Sequence, residues 1–247
     1  MNEDGGNSRT GPEAKMLWQF LGGLVNLQTL ALEVDLESFD ADTIELPRLH
    51  SLTIKSGSMT SWAVEFLGNT QMPDLRILTL CATTEDSDSV EGLLDGVLLD
   101  LTGSEAPLEL DELHLFNFVD PDTELLHRLY AQMPTLKTLT LGPGANANNL
   151  ALAMGLLPTP NELGLPHPPL PGLQTLVVFD IPKQLVRRIV RERQSLAGPL
   201  VELYCRYRGG HEDGGVPDDW QHQVGKYHHI DRLKSARYTD VVARRWS

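Results

Sequence analysis

The sequence is poor in cysteine and contains no long apolar segment. Its 247 residues include only two cysteines, Cys81 and Cys205. So few thiols, without an export signal, predict a reducing intracellular compartment, either cytoplasm or nucleus. No apolar run approaches the ~20 residues that a membrane-spanning helix needs, so we expect no membrane association. Residues 1–15 are acidic and polar, which predicts a disordered lead-in rather than a signal peptide.

Basic residues are also scarce over most of the chain. The whole sequence has 20 Lys and Arg against 34 Asp and Glu, a formal net charge of −14. Residues 1–183 hold 8 of the basic and 26 of the acidic residues, whereas residues 184–247 hold 12 and 8. An acidic body is repelled by the phosphates of a duplex, which argues against nucleic acid as the main partner.

What the sequence does contain is a repeated nine-residue pattern. MPDLRILTL at Met72–Leu80 is closely matched by MPTLKTLTL at Met133–Leu141. Its core, L-x-x-L-x-L, occurs seven times, with first-leucine spacings of 22 to 37 residues and a weaker last copy that ends in Cys205. The first leucines are Leu27, Leu49, Leu75, Leu110, Leu136, Leu173 and Leu200. Seven copies in register indicate a structural repeat.

The pattern predicts strands that alternate with helices. The last two leucines of each copy are two apart, so both point to one side of a strand while their neighbours point to the other. Helical spacing follows at about 60–68, 88–101, 147–156 and 182–195, and Asp120-Pro121 is typical of a helix start. A strand–helix unit has one apolar side that it cannot bury alone, so neighbouring units stack.

We therefore expect an α/β solenoid over residues 16–206. Six or seven short strands form a curved parallel sheet on the concave side, with helices on the convex side, and residues 207–247 form a polar tail or cap. Cys81 and Cys205 then lie about four strands apart, ~19 Å at the usual strand spacing. They also face opposite sides of the sheet, so no disulfide is expected between them.

These motifs resemble the leucine-rich-repeat family over about three quarters of the chain. The asparagine that usually follows the last leucine by three places is absent, which is typical of the longer, irregular, intracellular repeats. The phrase L-P-x-L-x-x-L-T-I/L and the stretch VRRIVRERQSLAGPLVELYC are similar to the repeat region of fungal F-box-like proteins, here without a visible F-box. The resemblance implies a substrate-recognition part of an SCF-type ubiquitin ligase. A structural or regulatory repeat protein unconnected to ubiquitin is the alternative.

No set of residues in the sequence fits a catalytic, cofactor or metal site. GPGANA at 142–147 lacks the lysine and hydroxyl residue of a phosphate loop and is interpreted as an ordinary turn. Four histidines, His211, His222, His228 and His229, crowd the tail without the ligand spacing typical of structural zinc, so a polar tail is favoured over a metal site. No nucleophile, base and acid occur together in a recognisable pattern, so no enzyme activity and no cofactor are predicted.

The strand residues that alternate with the leucines line the predicted concave side. In the later copies these residues include aromatic side chains and an arginine, the composition of interaction hot spots. The predicted partner-binding residues are His114, Phe116, Phe179, Tyr204 and Arg206. The alternative is that the C-terminal tail folds back over the rings as a cap, which the ends of repeat arrays require.

Overall fold

The structure is a computed structural model, and its described residues cover most of the repeats. They are 12–33, 43–56, 61–82, 109–118, 123–143, 149–160, 166–207 and 224–229. The helix predicted at 88–101 lies outside them, as do the histidines His211 and His222.

Eight of the described strands form one parallel sheet, and four others form two small two-stranded sheets. The large sheet has the order β1-β3-β5-β6-β7-β10-β11-β12 and every neighbouring pair in it is parallel. Its strands are β1 (Thr29–Glu33), β3 (Ser51–Ser56), β5 (Ile77–Ala82), β6 (Glu112–Phe116), β7 (Thr138–Gly142), β10 (Thr175–Ile181), β11 (Leu200–Tyr207) and β12 (Val224–His229). The small sheets are β2 (Ile44–Glu45) with β4 (Thr70–Gln71), parallel, and β8 (Thr159–Pro160) with β9 (Pro166–His167), antiparallel.

The register of the sheet aligns the seven leucine motifs with one another. The middle leucines form one continuous row, in which Leu78 and Leu139 both pair with Leu113. The third positions form a second row that runs from Leu32 to Cys205. Both rows are buried. The prediction that the leucines of all copies occupy equivalent positions of one parallel sheet is confirmed.

Five helices are described, and their buried side chains join the leucines in one core. They are α1 (Pro12–Gly22), α2 (Ser61–Asn69), α3 (Thr123–Ala131), α4 (Asn149–Met154) and α5 (Lys183–Leu196). Four of them lie where helical spacing predicted a helix, within a few residues at each end. None of the described helices combines the length and the apolar character needed to cross a bilayer.

A buried arginine ties α5 to the segment before β10. The guanidinium of Arg193 is buried and donates hydrogen bonds to the carbonyls of Pro169, Leu170 and Leu173 at 3.0, 3.0 and 3.1 Å. Burial lowers the pKa of Arg193 to about 10. The basic helix therefore uses one of its arginines inside the protein, while Arg187, Arg188 and Arg191 remain exposed.

Two of the described elements lie where the sequence indicated no helix or strand. α1 begins at Pro12, inside the stretch expected to be a disordered lead-in. Val224–His229, expected in a polar tail or cap, form β12 and pair with β11. The L-x-x-L-x-L pattern does not indicate β12, because Tyr227 and His229 occupy the positions that leucines occupy in most of the other strands.

The two cysteines are free, as predicted. Cys81 lies on β5 and Cys205 on β11, and three strands separate them in the sheet. Cys205 faces the core and is buried, whereas Cys81 lies on the opposite face and is half-buried. Burial raises the pKa of the Cys81 thiol, and the nearby Lys55 ammonium offsets part of this effect.

Candidate functional site

The sheet has a second face, which we call the helix-free face. It carries the strand residues that alternate with the leucines, and the described helices pack on the other side. All five predicted partner-binding residues lie on this face, on β6, β10 and β11. The register brings His114 into one row with Tyr204, through Thr140 and Val177. The prediction of which face they occupy agrees with the structure.

The exposure expected for these five side chains does not agree with the structure. Phe116 and Phe179 are only 6% and 0% exposed, and His114 is 7% exposed. Tyr204 and Arg206 are half-buried. The prediction of an exposed aromatic patch is therefore wrong for the two phenylalanines and the histidine, because alternation along a strand assigns a side and not an exposure.

Phe116 is buried partly because its ring lies on a glycine of the next strand. A Cβ atom added to Gly142 would come within 2.0 Å of the Phe116 ring, closer than any real contact. Any larger residue at position 142 has to displace the ring. Gly142, which opens GPGANA, therefore has a packing role on β7.

Phe179 is held beneath an arginine. The Arg206 guanidinium lies 5.3 Å from the centre of the Phe179 ring, within the range of a cation–π contact. The same guanidinium pairs with the carboxylate of Asp180. Asp180 has a φ of 58°, and the pairing of β10 with β11 shifts register between Phe179 and Ile181. This local irregularity brings the Asp180 carboxylate to Arg206.

His114 belongs to a short polar chain across β6 and β7. Its Nδ1 lies 2.9 Å from Thr140 Oγ1, and its Nε2 lies 3.2 Å from Glu112 Oε2. A hydroxyl, an imidazole and a carboxylate in this order also occur in nucleophilic catalysis. Thr140 is fully enclosed, however, so its hydroxyl is not open to a substrate in this structure. The contacts satisfy buried polar groups and connect the two strands.

A partly accessible part of this face lies on β11 and β12, and we call it the terminal cluster. It consists of Glu202, Tyr204, Arg206, Lys226 and His228. The Tyr204 hydroxyl donates to Glu202 Oε2 at 2.9 Å, and Lys226 Nζ donates to Glu202 Oε1 at 3.3 Å. These two hydrogen bonds lower the pKa of Glu202. The His228 ring stacks on Tyr204, with centroids 4.3 Å apart and planes inclined by 9°.

The terminal cluster joins two predicted site residues, Tyr204 and Arg206, with three that were not predicted as site residues: Glu202, Lys226 and His228. Lys226 and His228 were assigned to a tail, so their position beside Glu202 and Tyr204 follows only from the pairing of β12 with β11. Of the aromatic residues that the C-terminal region was expected to cover in the alternative, Tyr204 contacts His228 of β12. Lys226 and His228 remain exposed.

Two asparagines that sequence reasoning missed bridge neighbouring strand ends. Asn117 follows β6 and its amide donates to the Ala82 carbonyl of β5 at 2.8 Å. Asn149, the first residue of α4, is 2% exposed and donates to the carbonyls of Gly142 and Phe179 at 2.9 and 2.8 Å. Neither residue stands three places after a strand leucine, so a search at that spacing does not find them.

Over the residues that the structure covers, no three His, Cys, Asp or Glu side chains are grouped so that they could hold a metal ion. His228 and His229 are part of β12. What the fold and this face define is an α/β protein with an eight-stranded parallel sheet and a charged, partly aromatic surface at one end of its helix-free side. No protein-family model matches the chain, and no curated protein matches it.

Proposed function

We propose that this protein is a leucine-rich-repeat solenoid that acts as a non-catalytic scaffold for binding another protein. The observation that carries the proposal is the alignment of seven L-x-x-L-x-L copies in one parallel register, with helices packed on one face of the sheet. Stacked units of this kind keep their helices on one face, and here the opposite face is accessible on β1 and, in part, on β11 and β12. Binding partners on such a face is what repeat proteins of this design commonly do.

Within the helix-free face, the terminal cluster is the proposed contact. Tyrosine and arginine are the side chains most enriched at binding hot spots. Tyr204 and Arg206 are held in place by Glu202 and Asp180, so little side-chain freedom remains to be lost when a partner binds. Lys226 and His228 add exposed polar groups at the rim.

The partner class follows from the resemblance to fungal F-box-like repeat regions. On that basis the chain acts as the substrate-recognition part of a ubiquitin ligase receptor. The second candidate is a structural or regulatory repeat protein unconnected to ubiquitin. The two differ in one respect that can be measured: the first requires association with the adaptor subunit of an SCF-type ligase.

The test of the binding surface is quantitative affinity purification with matched variants. Tyr204→Ala and Arg206→Ala are expected to lose a partner that the wild-type protein retains, while the exposed arginine variant Arg188→Ala keeps it. Titration against the identified partner should show a loss of about 2 kcal/mol, roughly thirtyfold in affinity, for each hot-spot variant. Thermal melting of each variant separates a lost contact from a lost fold.

Two outcomes would argue against these proposals. Unchanged partner binding in both terminal-cluster variants, with their fold intact, would exclude the terminal cluster as the contact. Failure of the purified SCF adaptor to bind the full chain directly would favour the second candidate over the ubiquitin ligase receptor.

A further inference from the structure

The described part of the sheet ends at β1 on one side. β1 pairs with β3, and no other described strand lies beside it. The Gln28 carbonyl accepts a hydrogen bond from the Ser51 amide at 3.1 Å, so Gln28 directs its backbone groups towards β3. Because these directions alternate along a strand, the N–H and C=O groups of Thr29, Ala31 and Glu33 point away from the sheet.

Apolar side chains are exposed on the helix and the turn that precede β1. Met16 and Phe20 of α1 are 67% and 63% exposed, and Val25 in the following turn is 50% exposed. Trp18 stacks on Trp62 and Phe66 of α2, with ring centroids 6.3 and 5.4 Å apart. Met16 and Phe20 are each two residues from Trp18, so they lie on the opposite side of the helix and face away from α2.

We propose that β1 and the exposed side of α1 form an interface with a second copy of this chain. A two-fold axis perpendicular to the sheet pairs the two β1 strands in antiparallel fashion. It also places the two α1 helices on the same face of the joined sheet. An isologous contact of this kind satisfies the outward backbone groups and covers the exposed apolar side chains in a single step.

The residues of β1 suit such pairing when the register is centred on Ala31. Ala31 then exchanges backbone hydrogen bonds with Ala31 of the second copy, and Thr29 does so with Glu33 of that copy. The two Glu33 carboxylates do not stand opposite each other, so the register avoids the like-charge pair that destabilises cross-strand contacts. Each Glu33 also keeps its ion pair with Lys55 of its own chain.

The other end of the described sheet lacks these features. β12 carries the exposed Lys226 and His228 on its helix-free side. Charged residues, and lysine above all, are among the means by which proteins prevent pairing of edge strands. In contrast, the centre of β1 carries only the small and exposed Ala31. The structure therefore favours self-association through β1 rather than through β12.

The test is the dependence of molecular mass on protein concentration, measured on the full chain by analytical ultracentrifugation across the micromolar range. The wild-type protein should approach twice its monomer mass of 27.4 kDa. Ala31→Pro removes an outward amide that the pairing with β3 does not use, and proline is tolerated at such positions of edge strands. It should weaken association at least about tenfold, whereas Ala31→Thr, which keeps the amide, should not.

A second pair of variants tests the helix without altering the strand. Phe20→Glu should also weaken association at least about tenfold. The matched control Met154→Glu, at an exposed methionine of α4, should leave it unchanged. If Ala31→Pro perturbs the circular dichroism spectrum, Phe20→Glu decides the question alone. Amide hydrogen exchange at Ala31 and Glu33 should slow as the protein concentration rises.

Two outcomes would overturn the proposal. A wild-type protein that is monomeric throughout the range would mean that no second copy covers this end. Association that persists in Phe20→Glu would mean that the copies meet through another surface. Neither outcome bears on partner binding, because the terminal cluster lies at the opposite end of the sheet.

Discussion

Replacement of Asn149 by alanine should destabilise the protein although it removes only a small side chain. The Asn149 amide donates to the carbonyls of Gly142 at 2.9 Å and Phe179 at 2.8 Å, and a third contact, to Leu141, is longer at 3.4 Å. Asn149 is buried, so its removal leaves the carbonyls without that donor inside the protein. A buried acceptor that loses its donor costs ~1–3 kcal/mol.

The two short bonds together give an expected loss of about 2–6 kcal/mol for Asn149→Ala. Alanine is the better helix former by a few tenths of a kcal/mol, which opposes the loss without cancelling it. For a chain of this size, each kcal/mol corresponds to ~2–4 °C in melting temperature. The midpoint of thermal unfolding should therefore fall by about 4–24 °C, and urea titration should give the loss in free energy directly.

A second variant separates the donor role from packing. Asn149→Asp keeps the shape but replaces the amide donor with a carboxylate that faces the same carbonyls. The unpaired buried charge costs several kcal/mol. The favourable position at a helix start returns at most about 1 kcal/mol, so the aspartate variant should be less stable than the alanine variant.

The control is Asn69→Ala, in which an exposed asparagine loses a bond of similar length, 2.9 Å, to the Glu65 carbonyl. It should change stability by no more than about 0.5 kcal/mol, because water replaces the lost donor. Asn149 does not act as a buried donor if Asn149→Ala loses no more stability than Asn69→Ala, or if Asn149→Asp is as stable as Asn149→Ala.

Three further predictions concern the core, a buried cation and a thiol. Leu139→Ala, at a fully buried position in the leucine row, should lose ~2–5 kcal/mol in urea titration, whereas its neighbour Thr138→Ala should stay within about 0.5 kcal/mol. Arg193→Met leaves three carbonyls without their donor and should lower the free energy of unfolding by at least about 2 kcal/mol. The control Arg188→Met, on the solvent side of the same helix, should be nearly neutral. Equal effects of the two variants would contradict the role assigned to Arg193. Burial raises the pKa of Cys81, so its alkylation should be slow at neutral pH and should keep accelerating at pH values above the ordinary pKa of a thiol. Mass spectrometry of the modified peptide follows the alkylation rate. A rate that levels off at or below the ordinary thiol pKa would disprove this.

The period of the sequence was sufficient to predict the sheet but not the environment of the predicted site. L-x-x-L-x-L placed Leu78, Leu113 and Leu139 in one row because only one side of each strand can be buried against the helices. The same alternation placed Phe116 and Phe179 on the helix-free face. It carries no information about what lies over that face, and both rings are buried.

The sequence by itself determined which residues form the seven leucine strands, which side each strand residue faces, and that Cys81 and Cys205 stay apart. These properties depend on a local period of two that recurs in every copy, so neighbouring residues decide them. The tertiary structure alone decided that β12 extends the sheet, that Asn149 joins the ends of β7 and β10, and that β1 has only one neighbour among the described strands. The physical reason is that these features satisfy backbone groups and rings with partners from other units of the chain, and only the fold brings those partners together.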